Sequence, residues 1–211
     1  HKNITSELGC VTPVIIVPGV WSDEDLIFQA RQIASAVSNN ASFNCNAMKV
    51  IVTCKGWQQR ELFLNYLRTE LKSVPARKAY YPGAWKRYSG FLSQYKNAEV
   101  IGDNKSECIP WTFIPDINEN TYAFEVEAFC GVITETAIYA ATVPEFIHKA
   151  VDFCNEKIWG TLSCSIFVDS LTQKIHKDEI ELALEALRYG SIGINCWAAL
   201  SYAFGSTTWG A

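Results

Sequence analysis

The sequence predicts an α/β domain of three layers, a largely parallel twisted sheet flanked by helices. Three observations point there. Short apolar runs of strand length recur at Pro13–Pro18, Met48–Cys54, Trp111–Ile114, Val132–Tyr139, Ser163–Val168 and Ser191–Asn195. Amphipathic stretches of helical length separate most of them. No repeat or linker divides the 211 residues, and 49% of them are apolar, enough for one sizeable core. Strands alternating with helices favour parallel pairing.

Pro13–Pro18 is bounded by prolines and reads as a buried strand. Ser22 caps a helix whose first turn carries Asp23, Glu24 and Asp25. Leu26, Ile27, Ala30, Ile33, Ala34 and Val37 follow at helical spacing, and Asn39-Asn40 ends the run. Met48–Cys54 is a second buried strand. Residues 57–72 make an amphipathic helix with Leu62, Phe63, Tyr66, Leu67 and Leu71 on one face. Pro75 and Pro82-Gly83 break the next stretch, and a short helix spans about 85–95. Two strands follow, Trp111–Ile114 and Val132–Tyr139. Thr142, Pro144 and Glu145 open a helix that runs to Lys157, since proline suits a first turn. Ser163–Val168 is a strand, residues 171–188 one helix, Ser191–Asn195 a strand, and the tail from Cys196 a loop.

The bulk properties narrow the function. A net charge of −4 argues against a general nucleic-acid binder. No apolar run reaches the roughly 18 residues of a membrane helix, so no membrane role is expected. Residues 1–12 lack the pattern of a signal peptide. The eight cysteines form no C-x-x-C pair and several sit in apolar stretches. They read as reduced thiols in a cytoplasmic protein rather than as a zinc site. His1 in place of a methionine, and the end at Trp209-Gly210-Ala211, suggest a piece of a longer protein.

Two residues suggest covalent chemistry. Cys45 follows a helix and precedes a strand, where backbone N–H groups can lower a thiol pKa and stabilise an oxyanion. Glu7, 38 residues upstream, is a carboxylate that could activate water against whatever the sulfur captures. Glu127, just ahead of a strand, is suited to accept from sugar hydroxyls. Taken singly, each also fits a blander role: a buried thiol or a surface acid. His148 and His176 accompany no nucleophile motif. The stretch from Glu70 to Glu99 is basic, with Tyr80, Tyr81, Trp85 and Tyr88 interleaved, and reads as a solvated rim or subunit contact. The twelve glycines provide neither G-x-G-x-x-G nor G-x-x-x-x-G-K-[ST], so the chain carries no recognisable phosphate cradle.

Four blocks in order resemble the aldehyde dehydrogenase superfamily. Ser6-Glu7-Leu8-Gly9-Cys10-Val11-Thr12-Pro13 resembles its E-L-G-G-K-S-P segment. Asn40-Ala41-Ser42-Phe43-Asn44-Cys45-Asn46-Ala47 resembles N-x-G-Q-x-C-x-A. Glu127-Ala128-Phe129-Cys130-Gly131-Val132 resembles E-x-F-G-P-V, and Gly190–Asn195 resembles G-x-(V/I)-x-(V/I)-N. The resemblance makes Cys45 the nucleophile and Glu7 the base that activates the deacylating water. It makes Glu127 the acid on the nicotinamide ribose and Phe129 the aromatic beside it; Asn195 receives no chemistry. It implies an NAD- or NADP-dependent oxidation of a small aldehyde to an acid through a Cys45 thioester. Because coenzyme A-acylating branches usually lack the base, Glu7 favours hydrolysis.

The departures are Cys10 and Val11 for Gly-Lys, Ser42 and Phe43 for Gly-Gln, and Cys130-Gly131 for Gly-Pro. They imply a divergent branch, and Cys10 could crowd the cofactor or trap Cys45 in a disulfide. The family also places most of its cofactor-binding domain before the glutamate block and an oligomerisation strand after the point where this sequence stops. Residues 1–211 are therefore expected to be the catalytic domain alone, inactive by itself, with the cofactor bound mainly by the missing domain and a homo-oligomeric full-length protein. The alternatives are a cofactor-independent cysteine esterase or hydrolase using the same pair, and a non-catalytic relative retained for binding or assembly.

Overall fold

Strands and helices alternate along the chain: β1 (Thr12–Ile16), α1 (Asp23–Ser38), β2 (Met48–Cys54), α2 (Arg60–Ser73), α3 (Ala84–Gln94), β3 (Glu99–Ile101), β4 (Trp111–Ile114), α4 (Tyr122–Glu125), β5 (Val132–Ile138), α5 (Val143–Lys157), β6 (Ser163–Phe167), α6 (Ser170–Ile175), α7 (Lys177–Ala186) and β7 (Ser191–Ile194). The computed structural model describes residues 9–102, 106–117 and 121–206. The strands form one seven-stranded sheet in the order β3-β4-β5-β2-β1-β6-β7. All neighbours are parallel except β3, which pairs antiparallel with β4 at the edge.

β1 and β2 lie at the centre, and every residue of both is buried. Strands covered on both faces need no polar alternation, so they read in the sequence as continuous apolar runs. Right-handed crossovers dictate where the helices go. From β1 to β2 the chain steps one way across the sheet; from β5 to β6, and from β6 to β7, it steps the other way. Helix α1 therefore belongs on one face, and α5 and α7 on the opposite one. The packing agrees: α1 lies against α2, and α5 against α7. Ser22 caps α1 by accepting from Asp25 N, and Thr142 caps α5 by accepting from Glu145 N, as the sequence predicts.

The structure departs from the sequence reading in four places. The predicted helix over 171–188 is two helices, broken at His176 (φ −110°, ψ 36°). Apolar residues stand on both sides of the break, but Leu171 and Ile175 before it are exposed and Ile180 and Ala183 after it are buried. On α2, Leu64 is buried with Phe63, Leu67 and Leu71, while Leu62 is exposed. The three-residue edge strand β3 and the single turn α4 are too short to leave a periodic signal. The tail contains a 3-10 helix, Ala198–Ala203. Among the described residues, no helix is long and apolar enough to cross a membrane.

Candidate active site

Three of the quoted sequence blocks lead into β1, β2 and β5. These strands are adjacent and parallel, with Thr12 opposite Met48 and Val50 opposite Thr134. The segments entering them therefore meet at one edge of the sheet, the N-terminal ends of its strands.

The contacts join the blocks pairwise. Thr12 Oγ1 donates to the Cys45 carbonyl at 3.3 Å. Phe43 packs on Phe129 with ring centroids 5.8 Å apart. A methyl group on Gly9 would overlap Glu127 Oε2, so that carboxylate lies against the Gly9 backbone. Gly9 has φ +110°, a conformation that glycine alone adopts without strain. Glu7 lies outside the described residues.

Cys45 is half-buried and lines an open cleft of about 470 Å³, with Phe43, Asn44, Phe129, Trp197 and Tyr202 around it. The cleft wall is assembled from a distance in sequence. At Asn195 (φ +53°) the chain reverses after β7. It runs back along the sheet, Ala198 N donating to Ser165 Oγ, and Trp197 Nε1 donates to the Asn46 carbonyl at 2.7 Å. Asn195 itself stands at the C-terminal end of β7, the opposite edge from Cys45. Its side chain accepts from Val168 N and donates to Val168 O, a structural tie.

The backbone leading to Cys45 is unusual. Asn40, Ala41 and Ser42 are consecutive left-handed residues, with φ of 49°, 56° and 69°. Asparagine tolerates this region; alanine and serine pay for it. Two side chains stabilise the run. Asn40 Nδ2 donates to Phe43 O, and Lys49, buried in β2, reaches Ser42 O and Ser42 Oγ with its Nζ. Lys49 Nζ also donates to Cys130 O at 3.0 Å.

The Glu127–Cys130 segment is held in a similar way. Arg87 of α3 donates to Ala128 O and Phe129 O, both at 3.2 Å. Phe129 is left-handed too (φ +39°), and its ring meets Tyr81 edge-on at 4.9 Å. Phe43 stacks on Tyr81 and packs edge-on against Tyr80. Tyr80 and Tyr81 thus pack against Phe43 and Phe129 at the border of the cleft while staying about half exposed, which agrees with a solvated rim.

Burial shapes the electrostatics. Lys49 is pushed down to about 8, first by burial and by the Arg87 charge, against the pull of Cys130 and Glu127. Burial pushes the Cys130 thiol up to about 11, with Lys49 and Arg87 pulling the other way. Cys10 is fully buried, and burial raises its pKa despite hydrogen bonds from the Leu162 and Ser163 backbone. Its sulfur packs against Gly160, where a methyl would come within 3.1 Å. A neutral, enclosed thiol is a poor partner for disulfide exchange, which weighs against a Cys10–Cys45 disulfide, one of the two roles open to Cys10 in the sequence.

Comparison with solved structures fits this arrangement. The chain is similar to an NADP-dependent glyceraldehyde-3-phosphate dehydrogenase from Bacillus halodurans C-125 complexed with NADP (TM-score 0.71, 17% identity, 90% of this chain and 39% of that one). It is similar to the lactaldehyde dehydrogenase of Escherichia coli (0.70, 20%, 90% and 40%). It is also similar to aldehyde dehydrogenase 21 from Physcomitrella patens in complex with the reaction product succinate (0.70, 18%, 92% and 40%). The fold is that of an aldehyde dehydrogenase catalytic domain. No protein-family model and no curated protein matches the sequence. The chain spans about two fifths of the length of these aldehyde dehydrogenases.

Lys49 and Arg87 are the site residues that sequence reasoning passed over. Lys49 had a signal, a lone lysine inside the otherwise apolar strand MKVIVTC. Arg87 had none, because its partners are carbonyls contributed by a segment some 40 residues away.

Proposed function

We propose that this chain is the thiol-bearing catalytic domain of a divergent aldehyde dehydrogenase superfamily member. In the longer protein it oxidises an aldehyde to a carboxylic acid with NAD or NADP. One observation carries the reading: the Gly9, Cys45 and Glu127 segments converge pairwise at one sheet edge, although 118 residues of sequence separate the first from the last. The fold shared with aldehyde dehydrogenases supports it.

The residues present fit one end of the cofactor. Glu127, a half-buried carboxylate whose Oε2 lies against Gly9 and whose Oε1 is buried, is the acid we assign to the ribose hydroxyls, and Phe129 the aromatic beside it. The sequence contains no phosphate cradle for the other end. When bound, the nicotinamide supplies the hydride acceptor that turns an aldehyde-level adduct into an acyl group. The work of this chain is the rest. Cys45 Sγ, as thiolate, adds to the aldehyde carbonyl, and its own backbone N–H is the donor we assign to the developing oxyanion. The acyl group then rests on Cys45 as a thioester. Glu7 takes a proton from water, the hydroxide adds to the acyl carbon, and the Cys45 thiolate leaves.

An aldehyde panel with NAD and NADP on the full-length protein, comparing wild type with Cys45→Ala, tests this reading. Turnover is expected to vanish in Cys45→Ala; turnover that survives sinks the nucleophile assignment. Ester hydrolysis by the 211-residue chain without nucleotide would favour the cysteine hydrolase instead. Robust NAD-dependent turnover by residues 1–211 would overturn the reading of the chain as an inactive fragment. A full-length, folded protein whose Cys45 is unreactive would mark a non-catalytic relative.

A further inference from the structure

Resting on the assignment of Cys45 as nucleophile, the geometry points to Lys49 as a positioning residue: its buried ammonium ties the Cys45 loop at Ser42 to the Glu127–Phe129 segment at Cys130, so that the two halves of the cleft keep one registration. Three acceptors converge on one nitrogen: Ser42 O at 3.4 Å, Ser42 Oγ and Cys130 O at 3.0 Å. Ser42 is the last of the three left-handed residues and stands three positions before Cys45. Cys130 directly follows Phe129. The carbonyls of Ala128, Phe129 and Cys130 each accept from a cation, the first two from Arg87 and the third from Lys49. Arg87 reaches only that segment's carbonyls among the two cleft loops, whereas Lys49 alone of the two cations bonds to both loops.

The tie is an unexpected use of a core position. Lys49 sits in a central strand and is 3% exposed, where an apolar side chain would pack at no electrostatic cost. A protonated amine has three donors and meets the three acceptors; a neutral amine has two, and donates more weakly. Loss of the proton therefore weakens both ties, leaving one uncharged N–H for each loop. The charged or titratable groups acting on Lys49 are Cys130 at the head of β5, Glu127 in the segment before it, and Arg87 from α3. Cys130 and Glu127 favour the ammonium, while Arg87 and burial oppose it, which brings its titration to about pH 8.

Lys49→Met, Lys49→Arg and wild type are compared in the 211-residue chain with two readouts. The first is hydrogen exchange at neutral pH over the peptides covering residues 39–47 and 126–131. Both peptides are expected to exchange about tenfold faster in Lys49→Met, as loss of a charge-assisted hydrogen bond implies, while Lys49→Arg stays close to wild type. The second is the rate of Cys45 alkylation by iodoacetamide, followed by peptide mass spectrometry across the alkaline range. Wild type is expected to show an inflection near pH 8 in addition to thiol ionisation; neither variant should show it, since arginine does not titrate there. Exchange in Lys49→Met that matches wild type in either peptide, or an inflection that persists in Lys49→Arg, overturns the proposal. Should Lys49→Met fail to fold, Lys49→Arg and Ser42→Ala decide it: Ser42→Ala must speed exchange over residues 39–47, and unchanged exchange there refutes the tie. A Cys45 that no reagent modifies in any variant defeats the nucleophile reading and leaves the exchange result to judge Lys49 on its own.

Discussion

Replacing Arg60 with methionine removes a buried charge whose partner stays behind. Arg60 opens α2 and is buried; it donates from Nε to Glu135 Oε1 at 3.0 Å and from Nη2 to Glu135 Oε2 at 2.7 Å. The Glu135 side chain is 0% exposed, while the other carboxylates on Arg60, Asp116 and Glu61, are mostly in solvent. Arg60→Met therefore leaves Glu135, among the described residues, with the Thr53 hydroxyl and Asp116 N as its donors. Stranding a buried charge costs about 3–5 kcal/mol. Glu135→Leu should cost less, because Arg60 keeps its two solvent-exposed carboxylates. The double variant Arg60→Met/Glu135→Leu should lie within about 2 kcal/mol of wild type, since apolar replacement of a whole buried pair is often close to neutral. Urea unfolding followed by circular dichroism measures all four species, and m should stay constant. A loss under about 1 kcal/mol for Arg60→Met, or a double variant equal to the sum of the singles, would refute the reasoning. The network matters to the cleft because Thr53 lies in β2 and Glu135 in β5, the strands that carry the Cys45 and Phe129 loops.

Three further outcomes follow from the same geometry. Lys49 holds its proton less tightly folded (about 8) than unfolded (10.5), so between those pH values the unfolded chain binds the extra proton and stability rises with pH. Relative to Lys49→Met, wild type should gain about 3 kcal/mol across that window in unfolding measurements, and a flat or falling difference would contradict the buried ammonium. Gly9→Ala places a methyl on Glu127 Oε2 at φ +110° and should cost about 1–3 kcal/mol in thermal unfolding, with the exchange of the Glu127 peptide rising alongside. Asn195→Ala loses both bonds to Val168 as well as the left-handed tolerance of asparagine. It should cost about 1–3 kcal/mol in thermal unfolding and, because the chain turns at Asn195 to bring Trp197 to the cleft, speed Cys45 alkylation alongside.

The sheet was legible in the sequence because burial on both faces leaves a plain mark. The continuous apolar runs at β1, β2 and β5 need no long-range knowledge to be read, and the caps Ser22 and Thr142 are local. The break at His176 was not legible, since Leu171 and Ile175 look like core positions in sequence yet are exposed, while Ile180 and Ala183 of α7 are buried where it packs on α5. At the site, Cys45, Glu127 and Phe129 stood out through their flanking residues, and the fold brings their segments together. Tyr80 and Tyr81 did not, because their partners Phe43 and Phe129 lie 37 or more residues away and nothing in the basic stretch points to them.

Strain at the cleft connects these observations. Of the non-glycine residues with positive φ among those described, Asn40, Ala41, Ser42 and Phe129 border the cleft, and neither alanine nor phenylalanine favours that region. Each such residue costs on the order of 1–3 kcal/mol and persists only where its surroundings over-determine it. Those surroundings are identifiable here: Asn40 and Lys49 on the Cys45 side, Arg87 and Lys49 on the Phe129 side. The aromatic contact between Phe43 and Phe129 closes the gap between the two strained segments. Ser42 and Phe43 stand where the resembled motif has glycine and glutamine, so the very departures that mark this chain as divergent are the residues that the cation and the aromatic wall engage. A loop that had merely drifted from its motif would relax to ordinary backbone. Here three consecutive left-handed residues persist because Asn40 and the buried Lys49 hold them.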